Sequence, residues 1–247
     1  MLTLTVEPEL YERAILNKSL TAILRWVIVL SIPVLLCLSV ARALFSDAYL
    51  RYEYGKPDFP PDSYGFTQGQ RLELASVAIA FLNRSEPVDQ AIALLAAQRM
   101  PGTDKSLYTH YELSHMVDVK NFTDKLWRIH LVAAILAIGG TARLLLRRDT
   151  RRPAYESLMY GGLLSSGLLA ALAALVLVSW RTFFIQFHEL FFDPGTWIFN
   201  WDDSLIRLFP DRFWSDAGII VSVGTLVAGI VVAGVGYTAG KRLKTER

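Results

Sequence analysis

Cysteine is almost missing from this chain. Cys37 is the only one in 247 residues, so no disulfide can close within the chain and no CxxC redox or zinc pair exists. Placed inside an apolar run, Cys37 reads as a small buried apolar side chain. Histidine is nearly as scarce, with four in all. Charged residues make up 19% of the chain and the net charge is only +2, a balance that names no partner. No GxSxG nucleophile elbow, HExxH zinc motif, phosphate-binding loop or dinucleotide glycine fingerprint occurs. No basic patch interleaved with aromatics points to nucleic acid. No cofactor and no metal site is implied by any spacing.

What is plentiful is apolar surface. The chain is 53% hydrophobic with a mean hydropathy of +0.33, more apolar than soluble domains usually are, which places it in the membrane class. Four runs, residues 24–45, 126–146, 155–184 and 217–239, are each long enough to cross a hydrocarbon core of about 30 Å. They predict an all-α membrane protein, a four-transmembrane-helix bundle. Between them lie a helical extracytoplasmic segment at 46–125, a short loop at 147–154 and an aromatic-rich outer loop at 185–216. An N-terminal segment, 1–23, and a tail, 240–247, complete the division. The N-terminal segment has charged residues and no closely following cleavage site, so the first apolar run is expected to stay as a helix. Residues 7–20 have an amphipathic pattern, with Leu10, Ala14 and Ile15 on one side, and are expected to form a short helix along the membrane surface. In 46–125, Thr67 reads as an N-cap, and Leu72, Leu74, Ala75, Ala78, Ile79 and Leu82 follow at helical spacing. A second helix starts at Pro87 and stops at Pro101–Gly102. A third begins near Thr109 and runs on toward the second apolar run.

Charge placement predicts the orientation. Arg147, Arg148, Arg151 and Arg152 crowd the short loop, and the tail KRLKTER carries four more cations. Residues 184–214 have only Arg207 and Arg212 against five acids. The positive-inside rule then puts both termini and the short loop in the cytoplasm of a multi-pass protein of the cytoplasmic membrane. Small residues four apart, such as Gly162, Ser166 and Ala170, or Gly236 and Gly240, allow close backbone contact between helices.

The stretch 183–214 holds eleven of the chain's 29 aromatic residues. Aromatic bodies with polar tips settle at a membrane boundary. The stretch is either an anchoring belt or a platform that holds its ionisable groups, His188, Glu189, Asp193, Asp202 and Asp203, at headgroup depth. In HYELSHMVDV, Glu112, His115 and Asp118 are three residues apart and share one helix face. Asp118 can hold the His115 ring in one tautomer; equally, the three can be a surface ion-pair face. His110 lies five residues from His115, off the i,i+4 spacing of a helical zinc pair. Burial among Phe184, Phe187 and Phe191 would favour neutral His188, and Glu189 would oppose this. Arg181 either extends its charge toward water or binds a phosphate or oxyanion.

The segments ELSHMVDV (112–119), FHELFFDPGTWIF (187–199) and DSLIRLFPDRFW (203–214) resemble the Lit family, the lipoprotein intramolecular transacylases of bacteria. The resemblance covers most of the chain beyond about residue 20. It implies a membrane acyltransferase whose partners are a diacylated lipoprotein and the surrounding lipid. Such an enzyme moves an acyl chain from the glycerol sn-2 ester of the lipoprotein to the α-amino group of its N-terminal cysteine. The product is the lyso-form, and the active site faces the outer leaflet. It further implies that His115 and His188 are catalytic. Asp118, Glu112, Glu189 and Arg181 are the candidate supporting residues, with Phe187, Phe191, Trp197 and Asp203 toward substrate or interface. Two other readings stand beside it: a non-enzymatic scaffold or lipid-binding protein, and a membrane metallohydrolase. They differ in geometry. The first reading needs both imidazoles at one cavity, the second sets them apart, and the third needs a third ligand.

Overall fold

The computed structural model describes the backbone of residues 8–245 and the side chains of residues 17–243. Among these the only β-structure is a single bridge between Arg99 and Ser106. The helices are α1 (Pro8–Leu44), α2 (Asp47–Tyr54), α3 (Gln68–Asn83), the short turns α4 (Val88–Ala91) and α5 (Ala93–Ala96), α6 (His110–Ala134), α7 (Gly140–Leu145), α8 (Arg151–Val178), α9 (Trp180–Phe191), α10 (Ser204–Leu208) and α11 (Asp211–Thr245). A π-helical turn, Ile135–Gly139, joins α6 to α7.

Four stretches are long and apolar enough to span a membrane: Asn17–Leu44, His110–Leu145, Arg151–Val178 and Asp211–Leu243. Only 22–28% of each apolar window is buried within the protein. Trp26, Leu131, Ile138, Leu168 and Val231 are among the large side chains left outside, the exposure a lipid solvent requires. The protein is an all-helical membrane protein with four such helices.

Several boundaries differ from the sequence expectation. The helix expected from Pro87 to Pro101–Gly102 is divided into the short turns α4 and α5 and ends at Ala96. The separate surface helix at 7–20 is instead the start of α1, which runs on without a break. No Gly or Pro lies between Pro8 and Pro33 to interrupt it. The side chains of Leu10, Ala14 and Ile15 lie outside the described residues. The second spanning helix begins well before residue 126, at His110. The third ends at Val178, short of residue 184, because Ser179 leaves helical geometry (φ −155°, ψ 82°) and its side chain accepts the Thr182 N–H as an N-cap.

The chain divides into two compact units. One comprises Met1–Cys37, Ile129–Leu169 and Thr225–Arg247, and small residues set its packing. A Cβ on Gly162 would stand 2.4 Å from the Gly229 carbonyl oxygen and 2.6 Å from the Ala233 nitrogen. Ser166 Oγ donates to the Leu226 carbonyl at 3.1 Å, and a Cβ on Gly236 would meet the Tyr155 carbonyl oxygen at 2.5 Å. Helices α8 and α11 therefore touch backbone to backbone, where dispersion contacts are densest and lipid cannot enter.

The other unit comprises Leu38–Arg128 and Ala170–Gly224. Its core gathers Tyr49, Leu50 and Tyr54 of α2, Leu74, Ala78 and Phe81 of α3, and Leu95, Met116, Leu208 and Phe213. Thr67 and Gln70 form the capping box that starts α3. The short helix α10 is held into this core at several points. Arg207 donates to both oxygens of Asp62, at 3.1 and 2.9 Å, with both side chains nearly fully buried. Its guanidinium lies 3.5 Å from the Phe66 ring centroid. Arg71 donates to the Arg207 carbonyl at 2.8 Å and to the Pro60 carbonyl at 2.6 Å, and the Tyr54 hydroxyl donates to the Leu208 carbonyl. Burial alone would raise the Asp62 carboxyl, but the Arg207 hydrogen bonds and the Phe66 N–H hold it below its ordinary value of 3.8. Removing one partner of such a pair typically costs about 3–5 kcal/mol.

The packing of α8 on α11 can be checked directly. Gly162→Val should lower the thermal midpoint in detergent by the equivalent of about 1–3 kcal/mol or more, since backbone cannot yield as a flexible side chain does. Gly167→Val, whose Cβ meets nothing within 4 Å, should leave it nearly unchanged. Equal midpoints for the two variants would contradict the close contact.

Candidate functional site

The site is built on the first turns of α6. Thr109 and Glu112 cap that helix reciprocally: Thr109 Oγ1 accepts the Glu112 N–H at 3.2 Å, and Glu112 Oε2 accepts the Thr109 N–H at 2.8 Å and its hydroxyl at 3.0 Å. Glu112 Oε1 accepts the Leu205 N–H at 2.8 Å. One buried carboxylate thus starts α6 and ties it to α10. Ser204 Oγ adds a bond to the Leu107 carbonyl at 2.5 Å. His115 follows one turn later.

His115 is buried, and its Nδ1 has no hydrogen-bond partner. Its ring lies 5.3 Å from Phe192 and 5.2 Å from Phe199. The His188 ring stands 6.5 Å away and nearly parallel, at 24°. Around His188 are Phe184 at 4.1 Å, Phe187 at 5.5 Å, Phe192 at 5.6 Å and Trp197 at 4.9 Å. The two imidazoles therefore share an aromatic enclosure.

His188 Nδ1 lies 2.7 Å from the Phe184 carbonyl oxygen. A carbonyl only accepts, so Nδ1 carries the hydrogen and, in the neutral ring, Nε2 carries the lone pair. Burial pushes the His188 pKa below 6.5, and the Phe184 carbonyl opposes the shift without cancelling it. The ring is therefore mostly neutral at pH 7 and able to accept a proton. The opposing group is the Phe184 carbonyl rather than Glu189, whose side chain is exposed.

The loop that closes the enclosure is pinned by its own turns. The Tyr111 hydroxyl donates to the Gly195 carbonyl. Gly195 has φ +87°, a conformation that favours glycine. Phe199 packs against Tyr111 at 5.5 Å. Asp203 Oδ2 accepts the Asn200 N–H at 2.6 Å, so this carboxylate closes a turn. Ile198 and Trp201 point outward, at 63% and 72% exposure. The loop is folded back through Trp197 and Phe199, while Ile198 and Trp201 remain apolar surface.

Of the residues singled out from the sequence, His115, His188, Phe187 and Trp197 come together. Phe191 joins through Phe122, 4.7 Å away. Glu112 holds the backbone beneath His115. Asp118 is half-buried and makes no bond to His115 Nδ1, so the orienting role expected for it is not what the geometry supplies. Arg181 is exposed in the first turn of α9, and His110 is exposed as well. Tyr111, Phe122, Phe192 and Phe199 carry much of the enclosure and were not singled out. Phe122 was reachable, since it lies seven residues after His115 on one helix face. The others depend on the path of the loop. Among the described residues, no three His, Cys, Asp or Glu side chains are grouped to hold a metal ion.

The profile of the lipoprotein intramolecular transacylase Lit matches residues 25–214. The chain belongs to the Lit family. The matched range includes both histidine segments and the α10 clamp, and membership makes this membrane protein an acyltransferase acting in lipoprotein modification. An uncharacterized protein of Aquifex aeolicus (strain VF5) is 31% identical over 204 residues, 83% of this chain and 88% of its own. A solved structure of the membrane integral Lit from Bacillus cereus superposes with a TM-score of 0.69 at 18% identity, covering 94% of this chain and 99% of that one. A second structure of that protein, with one histidine replaced, gives 0.63 at 18% identity, covering 97% and 98%. At such identity the structures show a shared fold.

The state of His188 is measurable. Nitrogen-15 NMR of the imidazoles in micelles should report the Nδ1–H tautomer for His188 and a titration midpoint below 6.5. A midpoint at or above 6.5, or the Nε2–H tautomer, would contradict the environment described.

Proposed function

We propose that this Lit family member moves an acyl chain within a diacylglyceryl lipoprotein, from the glycerol sn-2 ester to the α-amino group of the N-terminal cysteine, leaving the lyso-form. The amine nitrogen attacks the ester carbonyl carbon, an N–C bond forms, and the C–O bond to glycerol breaks. The amine proton must leave and the glycerol oxygen must gain one. His188 takes the amine proton through Nε2, His115 hands a proton to the leaving glycerol oxygen, and the proton held by His188 passes to His115 to restore both rings. No enzyme nucleophile is needed because the substrate carries its own. Donor and acceptor lie in one molecule, so holding them together supplies much of the rate.

The observation that carries this reading is the pair of imidazoles, His115 buried and His188 half-buried, 6.5 Å apart among aromatic rings. Two proton carriers so close together can serve one reacting ester. The neutral form favoured at His188 is the form a base requires. Because His188 acts when neutral and its pKa is depressed, activity should persist as pH falls through 6.5 and be lost only below it.

His115→Ala and His188→Ala should each lower lyso-form production by about 10²–10⁴-fold at near-normal protein level, read by mass spectrometry of lipoprotein N-termini. His110→Ala should have little effect. A folded His115→Ala, His188→Ala double variant that still acylates a diacylated lipopeptide amine would overturn the assignment.

We further propose that both termini are cytoplasmic and that the site faces the outer leaflet, where lipoproteins present their modified end. Support comes from the arginines at 147–152 and the basic tail. With Cys37 replaced, a cysteine at Asp104 or Gly195 should react with an impermeant reagent in intact cells, and one at Thr150 should not. The reverse pattern would invert the topology.

A further inference from the structure

The acid–base pair leaves one charge of the reaction unattended. When the amine adds to the ester carbonyl, the C=O electron pair moves onto oxygen, and that oxyanion needs a preorganised hydrogen-bond donor. The donors around the histidines are few. The His188 Nδ1–H is taken by the Phe184 carbonyl. The Tyr111 hydroxyl is taken by the Gly195 carbonyl. Phe184, Phe187, Phe192 and Phe199 have no polar hydrogen to offer.

Trp197 is different. Its ring lies 4.9 Å from His188, and its Nε1 is buried without a partner. An indole N–H can only donate. Leaving such a bond unmade inside a protein is destabilising, and a buried orphan donor in a native structure calls for an explanation. Its backbone is also fixed. Two residues before it, Gly195 is tied to Tyr111, and three residues after it Asn200 is tied to Asp203. The loop therefore holds the indole in place before substrate arrives, as a donor that must not reorganise during reaction should be held.

We propose that Trp197 is a catalytic residue of the acyl transfer, its Nε1–H donating to the ester carbonyl oxygen as that oxygen becomes an oxyanion. On collapse, the electron pair returns to the carbonyl, the glycerol oxygen leaves and is protonated, and the new amide oxygen rests on the same N–H. This rests on the acyl-transfer reading above.

The test is Trp197→Phe together with benzothienylalanine at position 197, which keeps the bicyclic shape and replaces the N–H by sulfur. Both are assayed in detergent with a diacylated lipopeptide. Loss of one oxyanion donor should lower kcat by about 10²–10³-fold, with KM little changed and the acid limb of the pH profile unmoved. Binding of a phosphonate analogue of the tetrahedral intermediate should weaken by a similar factor. Wild-type kcat in the benzothienylalanine protein overturns the proposal, as does a fall in kcat without weaker phosphonate binding. If these hold while His115→Ala and His188→Ala remain inactive, acyl transfer stands and only the donor assignment fails. If the histidine variants stay active, it is the acyl-transfer reading that fails. Loss confined to Trp197→Phe with a lowered thermal midpoint would show packing, not donation, and also overturn it.

Discussion

The buried ion pair between Asp62 and Arg207 is the constraint on which the candidate site depends. A five-residue helix such as α10 cannot stand alone, since its few internal bonds do not repay nucleation. It persists because Arg207, with both side chains of the pair excluded from water, fixes its middle, while Glu112 takes up the Leu205 N–H at its start. Desolvating a carboxylate and a guanidinium is tolerable only when nearly every polar atom is used. Here Asp62 also accepts the Phe66 and Tyr64 N–H groups, and Arg207 stacks on the Phe66 ring.

From that clamp the aromatic loop inherits its position. Residues between α9 and α10 must pass over α6 because α10 is attached, through Glu112, at the helix start that also sets His115. Phe199 reaches both Tyr111 and His115, and Phe192 reaches both histidines. The enclosure is therefore a consequence of backbone tethers, and the rings fill what the tethers leave. Its apolar walls lower the local dielectric, which favours uncharged imidazole and strengthens any hydrogen bond to a developing charge.

Much of the fold was legible in the residues. Four apolar runs, the Thr67 cap and the glycine rows each state a local preference that the tertiary structure does not contest. The turn at Ser179 was less legible: a serine inside an apolar run is ordinarily a helix residue, and only its side-chain bond to the Thr182 N–H makes it a break. The continuous start of α1 was misjudged for a related reason. Charges before an apolar run suggest a separate element, yet without Gly or Pro nothing halts the helix.

By itself the sequence determined the class of the protein, its helical spans, and the two segments that carry His115 and His188, because hydrophobic length, capping and motif wording are properties of contiguous residues. Only the tertiary structure decided what those histidines face. It spent Glu112 and Asp203 on backbone N–H groups, left Asp118 off the His115 ring nitrogen, and set the Trp197 ring, its N–H unpaired, beside His188. A carboxylate's chemistry depends on which donors reach it first, and for Glu112 Oε1 that donor is the Leu205 N–H, 93 positions away. No spacing within a segment can record that choice.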